Sequence, residues 1–195
     1  TRQEMIKYFS LEKVTTSAAV FNPEKLQWLN QQYIQSTAPA DLASQLEPFL
    51  VKEGVLPDNH GLSREELAKP IPSLNQRAQT LIEMAQKSTF YFKESLEFDE
   101  KARNKFLNKD IKPHIEKLIA AINNMEVLEH ESLEKLFKRV AEEAGLKLGK
   151  LAQPVRVALT GGTASPGIYD VVLLLGKTTT LKRLNKAVDI IEKLD

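Results

Sequence analysis

Apolar residues recur along nearly the whole chain at the three- and four-residue intervals that place them on one face of an α-helix. The main stripes are formed by Leu26, Leu29, Tyr33 and Ile34; by Leu42, Leu46, Phe49 and Leu50; by Leu74, Ala78, Leu81, Ile82 and Ala85; by Ile111, Ile115, Leu118, Ile119 and Ile122; by Leu133, Leu136, Phe137, Val140 and Ala144; and by Leu181, Leu184, Val188, Ile191 and Leu194. No stretch shows the alternation of apolar and polar residues that marks a half-buried strand. The pattern therefore predicts an all-α fold.

Side-chain caps mark where several of these helices begin. Asn22 precedes Pro23, a pairing typical of an N-cap followed by the first helical residue. Ser63 and Glu66 match the Ser-x-x-Glu capping box, in which each side chain bonds the backbone N–H of the other residue. These signals predict helix starts at Pro23 and just after Ser63, and Gly54 predicts a helix end between them.

Prolines predict interruptions of the helical pattern. Pro70 and Pro72 break the short helix that follows the capping box, and a longer helix is predicted to run from Leu74 through Ala85. Pro154 lies inside the segment LGKLAQPVRVALTG, where the missing backbone donor predicts a kink or a helix start near the proline.

Composition limits the chemistry that the chain can carry. Among 195 residues there is no cysteine, which excludes a disulfide framework and a thiolate zinc site, and three scattered histidines (His60, His114, His130) make a structural metal unexpected. No apolar run approaches the roughly 20 residues of a membrane-spanning helix. We therefore expect no membrane segment and a cytoplasmic location. We also expect a monomer. The initial Thr1 suggests that the chain is a piece cut from a longer protein.

Charge is unevenly distributed, although the net charge is only +1. Residues 41–100 contain 6 Lys/Arg and 11 Asp/Glu, whereas residues 147–195 contain 8 Lys/Arg and 4 Asp/Glu. A basic C-terminal third indicates a localised anion-binding face. A solvated helical surface is the alternative interpretation.

No catalytic centre is predicted. The segment LLLGKT (173–178) is similar to a phosphate-binding loop, but that motif requires a preceding strand and a glycine where this chain has Val171. A helix that ends at Gly176, followed by an exposed Lys177, is the better interpretation. The chain also has no GxSxG motif, no cysteine nucleophile and no histidine beside a Ser/Asp pair.

Three features are candidates for anion or base recognition. In TGGTASPG (160–167), Ser165 and Pro166 predict a capped helix start whose free amides attract phosphate, with an ordinary inter-helix loop as the alternative. Arg156 precedes an apolar run, so it is either an internal ion-pair partner or a group that faces a ligand. Arg77 lies off the predicted core face, where a plain surface arginine would also lie.

Four segments together carry a family resemblance: MIKYFSLEKV, FNPEKLQWLNQQYI, QRAQTLIEMA and KLGKLAQPVRVALTGGTASPGIYDVVLLLGKTTTLKRL. In this order, and over its whole length, the chain resembles the C-terminal part of bacterial-type glutamyl-tRNA synthetases, which are class I aminoacyl-tRNA synthetases. The resemblance implies two packed helical bundles that read an anticodon. It also implies that the HIGH-like and KMSKS-like signatures, with ATP and Mg, belong to a catalytic domain outside this chain, which should be inactive alone.

The resemblance also implies boundaries and site residues. Residues 1–35 are expected to end a region that contacts the tRNA stem, and residues 36–95 and 96–195 to form the two anticodon-binding bundles. At the family's anticodon-contacting positions, this chain has Arg77, Arg156, Ser165 and Ile168. Arg77 falls where the third anticodon base is inspected, while Ser165 and Ile168 replace the Thr and Leu of some relatives.

The expected partner is therefore the anticodon loop of glutamate tRNA. Single-stranded bases can be splayed out and read on their edges, which suits a guanidinium and a capped helix end. The alternative hypothesis is a helical scaffold that docks a partner protein through the aromatic residues between positions 90 and 98.

Overall fold

The computed structural model describes residues 1–14, 17–18 and 20–193, and all regular structure in these ranges is helical, which confirms the predicted fold class. A 3-10 turn over Leu11–Lys13 lies between the first two helices. The helices are α1 (Arg2–Tyr8), α2 (Pro23–Ser36), α3 (Pro39–Lys52), α4 (Arg64–Ala68), α5 (Ile71–Leu74), α6 (Leu81–Phe92), α7 (Glu100–Phe106), α8 (Lys112–Asn123), α9 (His130–Glu143), α10 (Leu148–Thr160) and α11 (Ile168–Glu192). No helix in the described ranges is long and apolar enough to cross a membrane.

The predicted caps start the helices as expected. Asn22 Oδ1 accepts a hydrogen bond from the Lys25 N–H at 3.0 Å, and α2 begins at Pro23, the residue after Asn22. Both bonds of the predicted box at α4 are formed: the Ser63 N–H donates to the Glu66 carboxylate at 2.8 Å, and the Glu66 N–H donates to Ser63 Oγ at 3.2 Å. The residue types at these positions therefore set where the two helices begin.

The helices form two groups around a continuous hydrophobic core. In the first group α3 packs against α4, α5 and α6, and in the second α10 packs against α7, α9 and α11. Helices α6 and α10 contact each other across the two groups. Buried residues from Ile34 to Ile191 belong to one cluster, so the division predicted between residues 95 and 96 stays a prediction.

Most of the predicted stripes form the core, but two do not do so completely. On α2 only Ile34 is buried, and Leu26, Leu29 and Tyr33 are exposed. Ile82 on α6 is also exposed, whereas Ala85 is buried as predicted and α6 additionally buries Met84, Ser88 and Phe90. Leu194, predicted to continue the last stripe, lies outside the described residues.

The predicted helix from Leu74 to Ala85 is wrong at its beginning. Leu74 ends the short helix α5, and residues 75–80 form a turn before α6 begins at Leu81. The cause is local: Thr80 Oγ1 accepts from the Glu83 N–H at 3.1 Å, and the Gln79 N–H donates to the Glu83 carboxylate at 2.7 Å. These bonds compete with a continuous helix through the turn.

Helix α10 runs through Pro154, so the helix start, one of the two alternatives predicted for that residue, is wrong, and the kink stays a prediction. Its first residue is Leu148, and Pro154 is buried inside it. The neighbouring apolar side chains of α10 pack against α7, α9 and α11. Burial of this face outweighs the loss of one backbone hydrogen bond.

Helix α11 is broken where the glycine predicted a stop. Gly176 has φ 72° and ψ 172°, which no helix accommodates, and the chain resumes a helical course immediately. The expectation of an exposed Lys177 is wrong, because Lys177 is half-buried and its Nζ donates to the Met125 carbonyl at 2.8 Å. The lysine thus satisfies a carbonyl just after α8.

Candidate nucleic-acid interface

Arg156 holds the turn that leads into α11. This half-buried residue lies on α10, and its Nη1 donates to the carbonyls of Ser165 at 3.1 Å and Pro166 at 2.6 Å, and also to Ser165 Oγ. These acceptors are neutral oxygen atoms, so the contacts are not those of an internal ion pair. The Nε atom of Arg156 is buried and has no hydrogen-bond partner among the described residues.

Ser165 is not the N-cap that the sequence predicts. Helix α11 begins at Ile168, its N-cap is Gly167, and no side-chain cap bond is formed there. The Ser165 hydroxyl instead accepts from Arg156 and donates to the Pro166 carbonyl at 2.9 Å. Because the hydroxyl is engaged within the turn, it is not available to cap the helix.

Arg77 lies in the turn between α5 and α6 rather than on a helix. Its side chain is exposed, and its N–H donates to the Leu74 carbonyl at 2.8 Å. The side chains of Asn30 and Lys87 bond neighbouring carbonyls of the same turn. Among the described residues the Arg77 guanidinium has no hydrogen-bond partner, and it lies where the first helical group meets the second.

A small cleft of about 130 Å³ brings these features together across the two groups. Its lining consists of Leu74, Arg77 and Lys87 from the first group and Ala164, Ser165 and Pro166 from the second. Two predicted site residues, Arg77 and Ser165, therefore line one cavity, and Arg156 is bonded to its wall. Nothing in the sequence singled out Lys87, which resembles any exposed lysine on a helix.

The cleft is electropositive. Burial lowers the pKa of Arg156, and the positive charge of Arg77 lowers that pKa further. Arg156 nevertheless stays protonated, because the ordinary pKa of arginine lies far above neutrality. Two cations near enough to repel each other favour an anionic or electron-rich ligand between them.

Ile168, the fourth predicted site residue, is placed differently. It is the first residue of α11, it is buried, and it belongs to the core rather than to the lining of the cleft. Its predicted role in shaping the site by packing stays a prediction.

Arg183 is a structurally important residue that the sequence analysis missed. Its buried guanidinium donates to the carbonyls of Phe90 at 2.6 Å and Leu159 at 2.7 Å through Nη1, and to the Lys93 carbonyl at 2.7 Å through Nη2. The sequence did contain a sign that Arg183 is buried, because this residue directly precedes Leu184 of the apolar stripe of α11.

The chemistry that this arrangement offers is recognition. Guanidinium and ammonium groups can donate to phosphate oxygens and to the acceptor edges of bases. Among the described residues no group of three or more His, Asp or Glu side chains could hold a metal ion. An all-helical pair of bundles with a positive cleft between them is a suitable framework for binding RNA.

Comparison with protein families agrees with this class of function. Residues 41–188 match the family described as "Anticodon binding domain", and this range includes nearly all of both helical groups and every residue that lines the cleft. The chain belongs to this family.

The sequence relatives show which anticodon-binding proteins this chain is similar to. The chain is 45% identical over 193 residues to a glutamate–tRNA ligase of Syntrophobacter fumaroxidans and 43% identical over 189 residues to that of Thermodesulfovibrio yellowstonii. These alignments cover 99% and 97% of this chain, but only 40% and 41% of the relatives. The chain thus spans about 40% of the length of the curated relatives it matches, and the resemblance to glutamyl-tRNA synthetases is confirmed.

Solved structures show the same fold. A glutamate tRNA ligase from Elizabethkingia meningosepticum, crystallised with its amino acid, superposes with a TM-score of 0.83 at 30% identity, covering 97% of this chain and 36% of that one. The glutamate–tRNA synthetase of Elizabethkingia anophelis gives a TM-score of 0.76, also at 30% identity, covering 96% and 36%. The arrangement of the helices is therefore that of part of these enzymes.

Proposed function

We propose that this chain is the anticodon-reading part of a glutamate–tRNA ligase and that its cleft binds the anticodon loop of glutamate tRNA. The observation that carries the proposal is the meeting of Arg77, Lys87 and the Arg156–Ser165 pair at one cleft between the two helical groups. The chain's membership of an anticodon-binding family supports it.

The geometry suggests different roles for Arg77 and Arg156 in recognition of the anticodon. Arg77 is exposed and can turn its planar fork toward the edge of an unstacked base, for which we propose the third base of the anticodon. Arg156 already holds the 165–166 turn through Nη1, so it presents both its charge and a rigid wall to a second base. Ile168 supports that wall from the core side.

In the parent enzyme, this recognition would contribute binding energy and specificity to ATP-dependent glutamylation of tRNA. ATP and Mg are proposed to act in the part of the relatives that this chain does not span, with this part acting as a monomer. We expect no ATP–pyrophosphate exchange from the 195 residues alone. Detection of such exchange would contradict the assignment of catalysis to the other part.

The test is a binding titration of the chain against glutamate tRNA at two salt concentrations. Arg156→Ala is expected to weaken cognate binding by about 1–3 kcal/mol, the scale of one good base contact. Arg77→Ala is expected to reduce the preference over a tRNA whose third anticodon base is changed. Arg64→Ala is the matched control, because Arg64 is an exposed arginine on α4 that does not line the cleft.

Two outcomes would contradict the proposal. Unchanged affinity in a folded Arg156→Ala variant would remove this residue from the interface. Binding of wild-type chain that does not depend on salt would favour the protein-docking scaffold, since contacts with phosphates release counterions. The aromatic residues on which that alternative rests are largely used internally: Phe90 is buried, and Tyr91 and Phe92 pack edge to face with ring centroids 4.9 Å apart.

A further inference from the structure

The turn that carries Arg77 is held mainly by side chains from other elements. Residues 75–80 are not helical, and Arg77 itself is exposed, so the direction of its guanidinium depends on how firmly this backbone is fixed. Recognition of a base edge by two parallel hydrogen bonds tolerates displacements of only about 0.5 Å. The residues that fix the turn are therefore relevant to specificity.

Helix α6 contributes an ion pair that bonds the turn at two points. Glu83 and Lys87 lie one helical turn apart, with their charged atoms 2.5 Å apart. The Lys87 ammonium also donates to the carbonyl of Arg77, and the Glu83 carboxylate accepts from the N–H of Gln79 at 2.7 Å. The pair thus bonds the backbone of Arg77 itself and that of the second residue after it.

Glu83 is held in its charged form by these contacts. Partial burial alone would raise the pKa of Glu83, but the hydrogen bond from Gln79 and the ammonium of Lys87 outweigh it, and the pKa is lowered. The carboxylate is consequently ionised at neutral pH and bonds both Gln79 and Lys87.

Helix α2 holds the same turn from the other side. Asn30 Nδ2 donates to the Gln79 carbonyl at 2.5 Å, and Gln31 Nε2 donates to the Gln76 carbonyl at 3.2 Å. The backbone from residue 76 to residue 79 is therefore bonded by side chains of two helices.

We propose that Glu83 and Lys87 are positioning residues that fix the turn of Arg77 and so set how strictly the third anticodon base is discriminated. The proposal rests on the proposed function of the cleft. Neither residue has to contact the base, because both act on the backbone of the turn, Lys87 at Arg77 and Glu83 at Gln79. Lys87 additionally lines the cleft, so its charge and its positioning role have to be separated by experiment.

An electrostatic role and a positioning role predict different results for the same substitution, one in affinity and the other in selectivity. Glu83→Gln removes a negative charge beside the cleft, so a purely electrostatic role predicts tighter binding of every RNA. A positioning role predicts a loss of discrimination. Lys87→Met removes a positive charge, and the positioning role predicts a loss of discrimination there as well. Two variants with opposite changes in charge are thus expected to change selectivity in the same direction.

The experiment measures the ratio of dissociation constants for glutamate tRNA with a changed third anticodon base and with its natural one, using the 195-residue chain. We expect both variants to reduce the ratio by at least about fivefold, the lower limit for one good bidentate contact. The controls are Glu131→Gln and Lys135→Met, which disrupt an ion pair of the same spacing on α9, with atoms 2.6 Å apart, away from the cleft. The controls are expected to keep the wild-type ratio.

Amide hydrogen exchange at Gln79 supplies a readout that does not depend on RNA. Faster exchange in folded Glu83→Gln, with wild-type exchange in Glu131→Gln, would support the loosening of the turn. If both folded variants keep the wild-type selectivity ratio, the positioning proposal is overturned. The proposed function would still stand, because the wild-type chain would still discriminate the third base. Absence of third-base selectivity in the wild-type chain would overturn both.

Discussion

Gly161 ends α10 at a position where a side chain has no room. Its φ of 78° lies in the left-handed region, and a Cβ atom added there would come within 2.3 Å of the Glu97 carbonyl oxygen. The Gly161 carbonyl also accepts from the Asp99 N–H at 2.9 Å. At this glycine, the TGGTASPG segment therefore makes a close backbone contact with residues 97–99 of the same chain.

Gly161→Ala is expected to lower the free energy of unfolding by about 2–3 kcal/mol, because backbone strain adds to a steric clash. Gly162→Ala is the matched control, since a Cβ there meets no atom within 4 Å. Urea denaturation of both variants measures the difference. Equal stability of the two would mean that the 97–99 segment moves away at little cost.

At the scale of elements, the short helix α4 depends on its capping box. The pKa of Glu66 is lowered, first by the hydrogen bond from the Ser63 N–H and then by the bond with the Ser63 hydroxyl. A carboxylate with a lowered pKa in the folded state stabilises that state above its ordinary pKa of 4.5. The contribution disappears as the pH falls through the lowered value.

Glu66→Gln is accordingly expected to be less stable than wild type at pH 7, and the difference should shrink as the pH falls below 4.5. Thermal unfolding measured across this range tests the sign. Glu65→Gln, in the same first turn but outside the box, should show a smaller difference at pH 7. A gap between Glu66→Gln and wild type that widens toward low pH would contradict the assignment.

For the whole molecule, Arg183 links three helices through backbone carbonyls. Its guanidinium extends from α11 to carbonyls at the ends of α6 and α10, where the partial negative charge of each helix C-terminus favours a cation. Burial lowers the pKa of Arg183, yet the group stays charged and its bonds remain charge-assisted. This residue joins the two groups whose surfaces form the cleft.

Arg183→Met is expected to cost about 2–4 kcal/mol of stability, because two buried carbonyls and one part-buried carbonyl lose a charged donor. Lys182→Met is the control, since Lys182 is the exposed neighbour on the same helix. Loss of the link should also make the two groups unfold less cooperatively, which urea curves followed by two probes would reveal. A single transition at wild-type stability would show that packing between α6 and α10 suffices.

The sequence by itself determined the features that depend on neighbouring residues. The all-α class follows from the spacing of apolar residues, and the starts of α2 and α4 follow from Asn22 and from Ser63 with Glu66. A cap bonds groups only three residues away, so the residues involved are visible together in the sequence. The break at Gly176 was visible in the sequence as well, because glycine adopts a positive φ without steric cost.

Tertiary structure alone decided how the candidate site is assembled. Arg77 and Ser165 are far apart in the chain, and they line one cleft because α6 packs on α10 and because Arg183 joins the ends of both helices. The same long-range packing carries α10 through Pro154, and bonds from α2 and α6 hold the turn of Arg77. Such contacts depend on which faces meet, and this is set by burial across the whole chain rather than by neighbouring residues.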